Sequence, residues 1–366
     1  MTGDFGGKLM KYIKRWLPYA PAPVYAVCEW VHLYKERREK GEDSTLCRRE
    51  KSRKVHCLGD KDPDKTYYVI ALDEQETGIA SMMIYLLGHF KYADKMHYIP
   101  VIDSTLYRPW LWGGPDEEVA QCPWRKGLPW EMKERWLFYF KQPAGVTMQD
   151  IQDCKNVVFA SPRAVDTPCH PMREIEMLKK RYMRKWNPLL KKYVIFEDDT
   201  AQYIEQQTCN IFREGRRVLG VSVRMGYVQG MKLKEKHYQY HNRQPDSIDI
   251  FIHDLERFRL LWKCDYIFLS TDDTGSADDL KKHFGGTLLM LDRMRTRITE
   301  NGVFSSNPLL DVSISSNRAY LAELVILSKC QCYLGCRNGG CSIVNVMNNG
   351  RFEHKYIYAM GKLEDV

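Results

Sequence analysis

The chain has 366 residues, 44% hydrophobic, 12% aromatic and 28% charged, with a net charge of +8. That composition excludes wholesale disorder, collagen and coiled coil, and the length is enough for two domains with a proper core. Residues 1–60 alone hold 13 Lys/Arg and 8 Asp/Glu, so most of the basic excess lies in the N-terminal segment rather than in a stripe through the folded part, which argues against a nucleic-acid partner.

The N-terminal segment pairs basic residues with aromatics. Lys8-Leu-Met-Lys-Tyr-Ile-Lys-Arg-Trp-Leu17 and the stretch up to Lys40 suit a helix lying in a membrane surface, or an ordinary surface helix with buried aromatics. No signal peptide, no 18-residue apolar run and no Asn-x-Ser/Thr acceptor is present. The chain is therefore expected in the cytoplasm, with peripheral contact at the inner membrane face through residues 8–40, and its 12 cysteines are expected as free thiols.

Residues 41–65 read as a polar linker. Tyr67–Leu72 is a β-branched and aromatic run, Ile79–Tyr92 has helical spacing, and His97–Asp103 is a second strand. Strand, helix, strand predicts a βαβ unit and a parallel sheet. A Trp-, Pro- and Gly-rich insertion spans 107–140, with Trp110, Trp112, Trp124, Trp130 and Trp136. Its tryptophans can stack on sugar faces or fill a core. Asn156–Ala160 reads as a strand and Glu174–Trp186 as a helix.

A second alternating series follows. Strands are predicted at Arg217–Arg224, Tyr266–Asp273, Thr287–Leu291 and Cys332–Gly335, with helices at Ser247–Trp262, Asp278–Phe284 and Arg318–Ser328 and a Gly-rich turn at the end. The fold class is thus α/β in two halves: a segment 1–60, a first Rossmann-like unit 61–205 and a second 206–366.

In an open parallel sheet, ligands sit beyond the carboxyl ends of the strands. Arg224, then Thr271, Asp272 and Asp273, then Arg337-Asn338-Gly339-Gly340 all fall at such ends in the second half. An arginine fork and glycine-exposed backbone N–H groups suit an anionic pyrophosphate. The acid pair also suits a bound Mg²⁺. Glu323 interrupts a helix that is otherwise apolar on every face, so it must be buried with a partner. Two partners fit equally: the N1–H and N2 amino edge of guanine, or an arginine such as Arg293, Arg295 or Arg297. Cys330, Cys332, Cys336 and Cys341 lack two CxxC knuckles, which favours buried thiols over zinc.

Together these motifs resemble the donor half of the fucosyltransferase superfamily, which includes α1,6-fucosyltransferases and protein O-fucosyltransferases. The resemblance rests on Gly220-Val-Ser-Val-Arg224, Lys232-Leu-Lys234, His237, Gln244-Pro245, Tyr266–Asp273 and Tyr320–Cys330. Upstream, Gly78 and Ser81, Tyr98–Asp103, Trp136–Pro143 and Lys155–Val158 resemble bacterial members from surface-polysaccharide synthesis. The resemblance implies a GT-B fold, two Rossmann-like domains facing a cleft. It implies GDP-fucose as donor, a glycan acceptor that can be lipid-linked, inversion at the anomeric carbon, and no metal or other cofactor. It assigns the pyrophosphate to Arg224, guanine to Glu323, a place near the donor to Thr271, Asp272 and Asp273, and phosphate binding to the turn Arg337–Ser342. Gly78 and Ser81 are assigned to a donor-side loop. Glu235, Asp272 and Asp273 are the candidate bases. The chain departs from the pattern at Arg224-Met225-Gly226-Tyr227, which has no acid where members carry aspartate. A non-catalytic nucleotide or glycan binder, or a transferase using another GDP-sugar, are the alternatives.

Overall fold

The computed structural model describes residues 55–72, 78–104, 135–160, 180–223, 247–295, 310–336 and 338–358. The basic segment 8–40 and the tryptophans at 110, 112, 124 and 130 lie outside these residues.

The first sheet has three parallel strands in the order β2-β1-β3: β1 Tyr67–Ala71, β2 Ile99–Asp103 and β3 Val157–Phe159. Helix α1, Ile79–Met96, makes the crossover from β1 to β2, and 12 of its 18 residues are buried. Residues 55–61 run along the open edge of β3, where His56 bridges Val157 antiparallel. That covers a strand edge that would otherwise expose unpaired backbone groups.

Two helices lead to the second half: α2, Lys180–Tyr193, and α3, Asp198–Ile211. Helix α3 was not expected from the sequence. Its start is nonetheless chemically marked: the Glu197 carboxylate accepts from the Asp199 N–H, and Asp198 and Asp199 place negative charge at the positive end of the helix dipole.

The second sheet is entirely parallel, in the order β6-β5-β4-β7-β8. Its strands are β4 Val218–Val223, β5 Tyr266–Thr271, β6 Leu288–Leu289, β7 Cys332–Cys336 and β8 His354–Tyr358. The helices are α4 Ile248–Leu261, α5 Thr274–Phe284, α6 Leu310–Lys329 and α7 Gly339–Asn348. Numbered within this half, the strand order is 3-2-1-4-5, that of the doubly wound dinucleotide-binding fold. Two expectations are corrected here. The Gly-rich turn after β7 is the first turn of α7, and β8 adds a strand the sequence pattern did not announce.

The two halves share one core. Tyr68, Leu87 and Phe90 of the first half, Trp186 of α2, and Leu324 and Val344 of the second belong to a single buried cluster. Helix α2 packs on α1 and α7, and α3 packs on α6. The expected division at 205/206 falls inside α3. A second cluster, with Val221, Leu255 and Leu269, fills the other face of the second sheet. Trp136, one of the candidates for sugar stacking, is fully buried and stacks on Phe140 with ring centroids 4.0 Å apart. It is a core residue.

Candidate functional site

The strand order locates the site before any side chain is considered. From β4 the chain proceeds to β5 and β6 on one side, whereas β7 and β8 lie on the other. The crevice outside the carboxyl ends of β4 and β7 is therefore the topological switch point, where such sheets bind ligands. Arg224 directly follows β4 in the chain; it lies outside the described residues, as do Glu235 and Arg337.

On the β7 side, the Asn338 side chain caps α7 by accepting from the Cys341 N–H at 2.8 Å. Gly339 and Gly340 form the first turn. A Cβ at Gly339 would run into the side chain of Ser81 and lie 3.3 Å from its Cα. A Cβ at Gly340 would lie 2.8 Å from the Tyr320 hydroxyl. The glycines are needed for close approach, not for a turn conformation.

Ser81 stands in the first turn of α1, which starts at Gly78 without a side-chain cap. Two helix N-termini, one from each sheet's carboxyl edge, thus meet at Ser81 and Gly339. The first N–H groups of a helix have no intrahelical acceptor, and the dipole makes that end positive. Two such ends in contact make an environment for an anion. The structure brings together Gly78, Ser81, Asn338, Gly339 and Gly340. Ser342 is different: it is buried and its hydroxyl donates to the Asn338 carbonyl at 3.1 Å, so it faces the helix interior.

At the end of β5 lies a second, charged assembly. Glu323 is 0% exposed. Its Oε1 accepts from Arg293 Nε at 2.9 Å and its Oε2 from the Ser270 hydroxyl at 2.6 Å; Arg295 lies at 3.5 Å. Of the two partners the sequence left open, the arginine is the one present. Glu323 holds Arg293.

Arg293 is equally enclosed. Its Nη2 donates to the Thr271 carbonyl at 2.9 Å and to Asp272 Oδ1 at 2.8 Å, and its guanidinium lies over the Tyr320 ring. Burial pulls the Arg293 guanidinium down, but the Glu323 and Asp272 carboxylates more than reverse this, so it is held above its usual range. The result is a chain of contacts from β5 through Arg293 to Tyr320, whose hydroxyl borders the α7 turn.

The acid pair therefore divides. Asp273 caps α5, accepting from the Ser276 N–H at 2.7 Å and the Ser276 hydroxyl at 2.5 Å. Both bonds go to Oδ2, so this oxygen serves the helix cap. Thr271 is buried and its hydroxyl accepts from the Asp273 N–H at 3.3 Å. Asp272 keeps some surface, with its side chain 22% exposed; Asp292, next to Arg293 in the chain, is exposed.

Among the described residues no three His, Cys, Asp or Glu side chains converge as metal ligands. Cys330, Cys332, Cys336 and Cys341 are free and buried. No described helix is long and apolar enough to cross a membrane.

The chain matches no protein-family model and no curated protein. Comparison with solved structures finds partial likenesses. The fucosyltransferase NodZ from Bradyrhizobium is 14% identical, with a TM-score of 0.40 over 78% of this chain and 92% of that one. POFUT1 in complex with GDP is 10% identical, with a TM-score of 0.43 over 80% and 99%. An Arabidopsis thaliana FUT1 mutant in complex with GDP is 10% identical, with a TM-score of 0.41 over 91% and 79%. All three are fucosyltransferases. At these identities the likeness gives no residue of this chain a role.

Proposed function

We propose that the protein is a GT-B glycosyltransferase that transfers fucose from GDP-fucose to a glycan hydroxyl, with inversion and without a metal ion. The observation that carries this reading is the contact of two helix N-termini at Ser81 and Gly339, beside the switch point of the second sheet. A nucleoside diphosphate leaving group carries negative charge that grows as the glycosidic bond breaks. Preorganised N–H groups aimed at that charge stabilise the transition state without reorganisation. Arg224, the residue next after β4 in the sequence, is read as the bidentate cation for that diphosphate.

In the reaction the acceptor oxygen forms a bond to the anomeric carbon, the bond to the diphosphate oxygen breaks, and the acceptor proton passes to a carboxylate. Glu235, Asp272 and Asp273 are the candidates for that carboxylate. The acceptor is read as a surface glycan or its lipid-linked precursor, met at the inner membrane face through residues 8–40.

The test is calorimetric titration with GDP, UDP and ADP, each in EDTA and in Mg²⁺, followed by GDP release from GDP-fucose with candidate glycans. Tight, metal-independent GDP binding with acceptor-dependent release supports the reading. Binding of UDP only with Mg²⁺, or of no nucleotide, refutes it. The sequence Arg224-Met225-Gly226-Tyr227, without an acid, favours a second reading: a binder that takes GDP-fucose without turning it over.

A further inference from the structure

We propose that Cys264 and Cys332 form a dithiol that hydrogen peroxide converts to a disulfide, with Arg217 as the residue that activates Cys332. The pair lies at the amino edge of the second sheet, away from the proposed donor edge, and stands whether or not a nucleotide binds.

The chain brings the two cysteines together from different elements. Cys332 is the first residue of β7 and pairs with Leu219 of β4. Cys264 lies in the turn between α4 and β5, where Lys263 turns the chain with φ +53° and the Cys264 N–H donates to the Arg259 carbonyl. Both side chains are buried in the cluster on one face of the sheet. Cys330, much nearer to Cys332 in sequence, belongs to the other cluster, and its thiol donates to the Ile326 carbonyl.

Arg217 and the Trp262 carbonyl connect the two sulfurs. Arg217 Nη2 donates to Cys332 Sγ at 3.7 Å and its Nε to the Trp262 carbonyl at 3.0 Å. The Cys264 thiol lies 3.7 Å from that same carbonyl oxygen. It also hydrogen-bonds the Cys332 sulfur, and this bond holds the Cys332 thiol below its usual value; burial and the Glu353 carboxylate oppose it, and the Arg217 charge adds to it. The same bond and burial push the Cys264 thiol up. One sulfur is thus set as the nucleophile and the other as the proton holder, beside a cation that favours the thiolate. Glu353 anchors Arg217 at 2.6 Å, and the Arg217 side chain is 29% exposed, so the cation on Cys332 is itself within reach of water.

In the first step the Cys332 thiolate attacks a peroxide oxygen. The S–O bond forms, the O–O bond breaks, and the departing hydroxide takes up the proton that Cys332 had lost. In the second step the Cys264 sulfur attacks Cys332. The S–S bond forms, the S–O bond breaks, and hydroxide leaves as water with the Cys264 proton. Two thiols are oxidised and one peroxide is reduced to two waters; a dithiol reductant reverses the link.

The test treats the reduced protein with hydrogen peroxide, alkylates the remaining thiols and reads linked peptides by mass spectrometry. The expected result is a Cys264–Cys332 linked peptide that dithiothreitol removes. Cys264→Ser should leave Cys332 as a sulfenic acid that dimedone captures. Arg217→Met should slow the linkage several-fold at neutral pH and less at alkaline pH, where the thiolate forms without the cation. If the two are merely core thiols, peroxide oxidises exposed Cys57 and Cys209 and leaves the pair free to be alkylated after unfolding. That result in the wild type overturns the inference without needing any variant to fold, and so does linkage of Cys332 to Cys330 instead. An Arg217→Met variant that links at the wild-type rate overturns the part assigned to Arg217.

Discussion

Replacing Arg293 by methionine tests the buried charge network most directly. The substitution preserves much of the aliphatic volume but removes the donor at 2.9 Å from Glu323 and the donor at 2.8 Å from Asp272. Glu323 is then a carboxylate at 0% exposure with Ser270 as its remaining close donor. Leaving one partner of a buried ion pair uncompensated costs about 3–5 kcal/mol. At roughly 2 °C per kcal/mol for a chain longer than 250 residues, the melting temperature should fall by about 6–10 °C. The effect should depend on pH in a defined direction. Burial pushes the Glu323 carboxyl up, and the Arg293 charge is the main force pulling it back. Without Arg293 the folded-state value lies further above the unfolded one of about 4.3. The deficit is therefore full at neutral pH and shrinks as pH falls through the raised folded-state value. The double variant Arg293→Met with Glu323→Leu should recover most of the loss, because replacing both partners by apolar groups is often neutral. Thermal melts from pH 5 to 8 on the two single variants and the double variant measure this. An Arg293→Met variant within about 1 kcal/mol of wild type at pH 7, with no pH dependence, refutes the reasoning and means Glu323 is neutral in the fold.

Three further outcomes are expected. Gly339→Ala should force Ser81 away from α7 at a cost of about 1–3 kcal/mol and weaken GDP binding, with Ser81→Gly restoring both; a variant with wild-type melting and affinity would show the contact to be loose. Asp273→Ala should cost about 1 kcal/mol by removing the α5 cap and leave the GDP affinity unchanged, whereas a selective loss of GDP affinity would make Asp273 a donor contact. Among the described cysteines, maleimide labelling read by mass spectrometry should modify Cys57 and Cys209 quickly and buried Cys330 slowly, since burial also pushes the Cys330 thiol up; fast labelling of Cys330 would mean that α6 opens.

The parts of the fold that were legible in the sequence are those where local chemistry and global structure agree. Tyr67–Ala71, Val218–Val223 and Tyr266–Thr271 are buried parallel strands and read as apolar runs, because both of their faces are covered. Helix α3 carried a readable signal in Glu197-Asp198-Asp199, but its interior Gln, Thr and Cys residues give a weak apolar stripe. β6 is only two residues long, so its predicted length was set by propensity rather than by pairing.

Helix α7 shows a different limit. Gly339 and Gly340 lower helix propensity by about 1 kcal/mol each, and a local reading turns them into a loop. They are kept by the approach of Ser81, which is 258 residues away in the chain, and of the Tyr320 hydroxyl. Glu323 obeys the same logic. Its apolar helix shows that the carboxylate is buried and must be paired, and charge alone offers three arginines. Only the placement of the chain after β6 selects Arg293 and directs its second nitrogen to Asp272. In both places the residue that violates its local pattern does so because of a contact distant in sequence. Those two contacts, Ser81 with Gly339 and Glu323 with Arg293, flank the carboxyl edge where the nucleotide is proposed to bind. If that is why the patterns break there, Gly339→Ala should weaken the affinity for inorganic pyrophosphate and GDP alike. Arg293→Lys should instead act on GDP and spare pyrophosphate, because Arg293 sits at the end of β5 on the Thr271 carbonyl and not at the Ser81–Gly339 contact. Equal losses on both ligands in both variants would mean that the two contacts only hold the halves together.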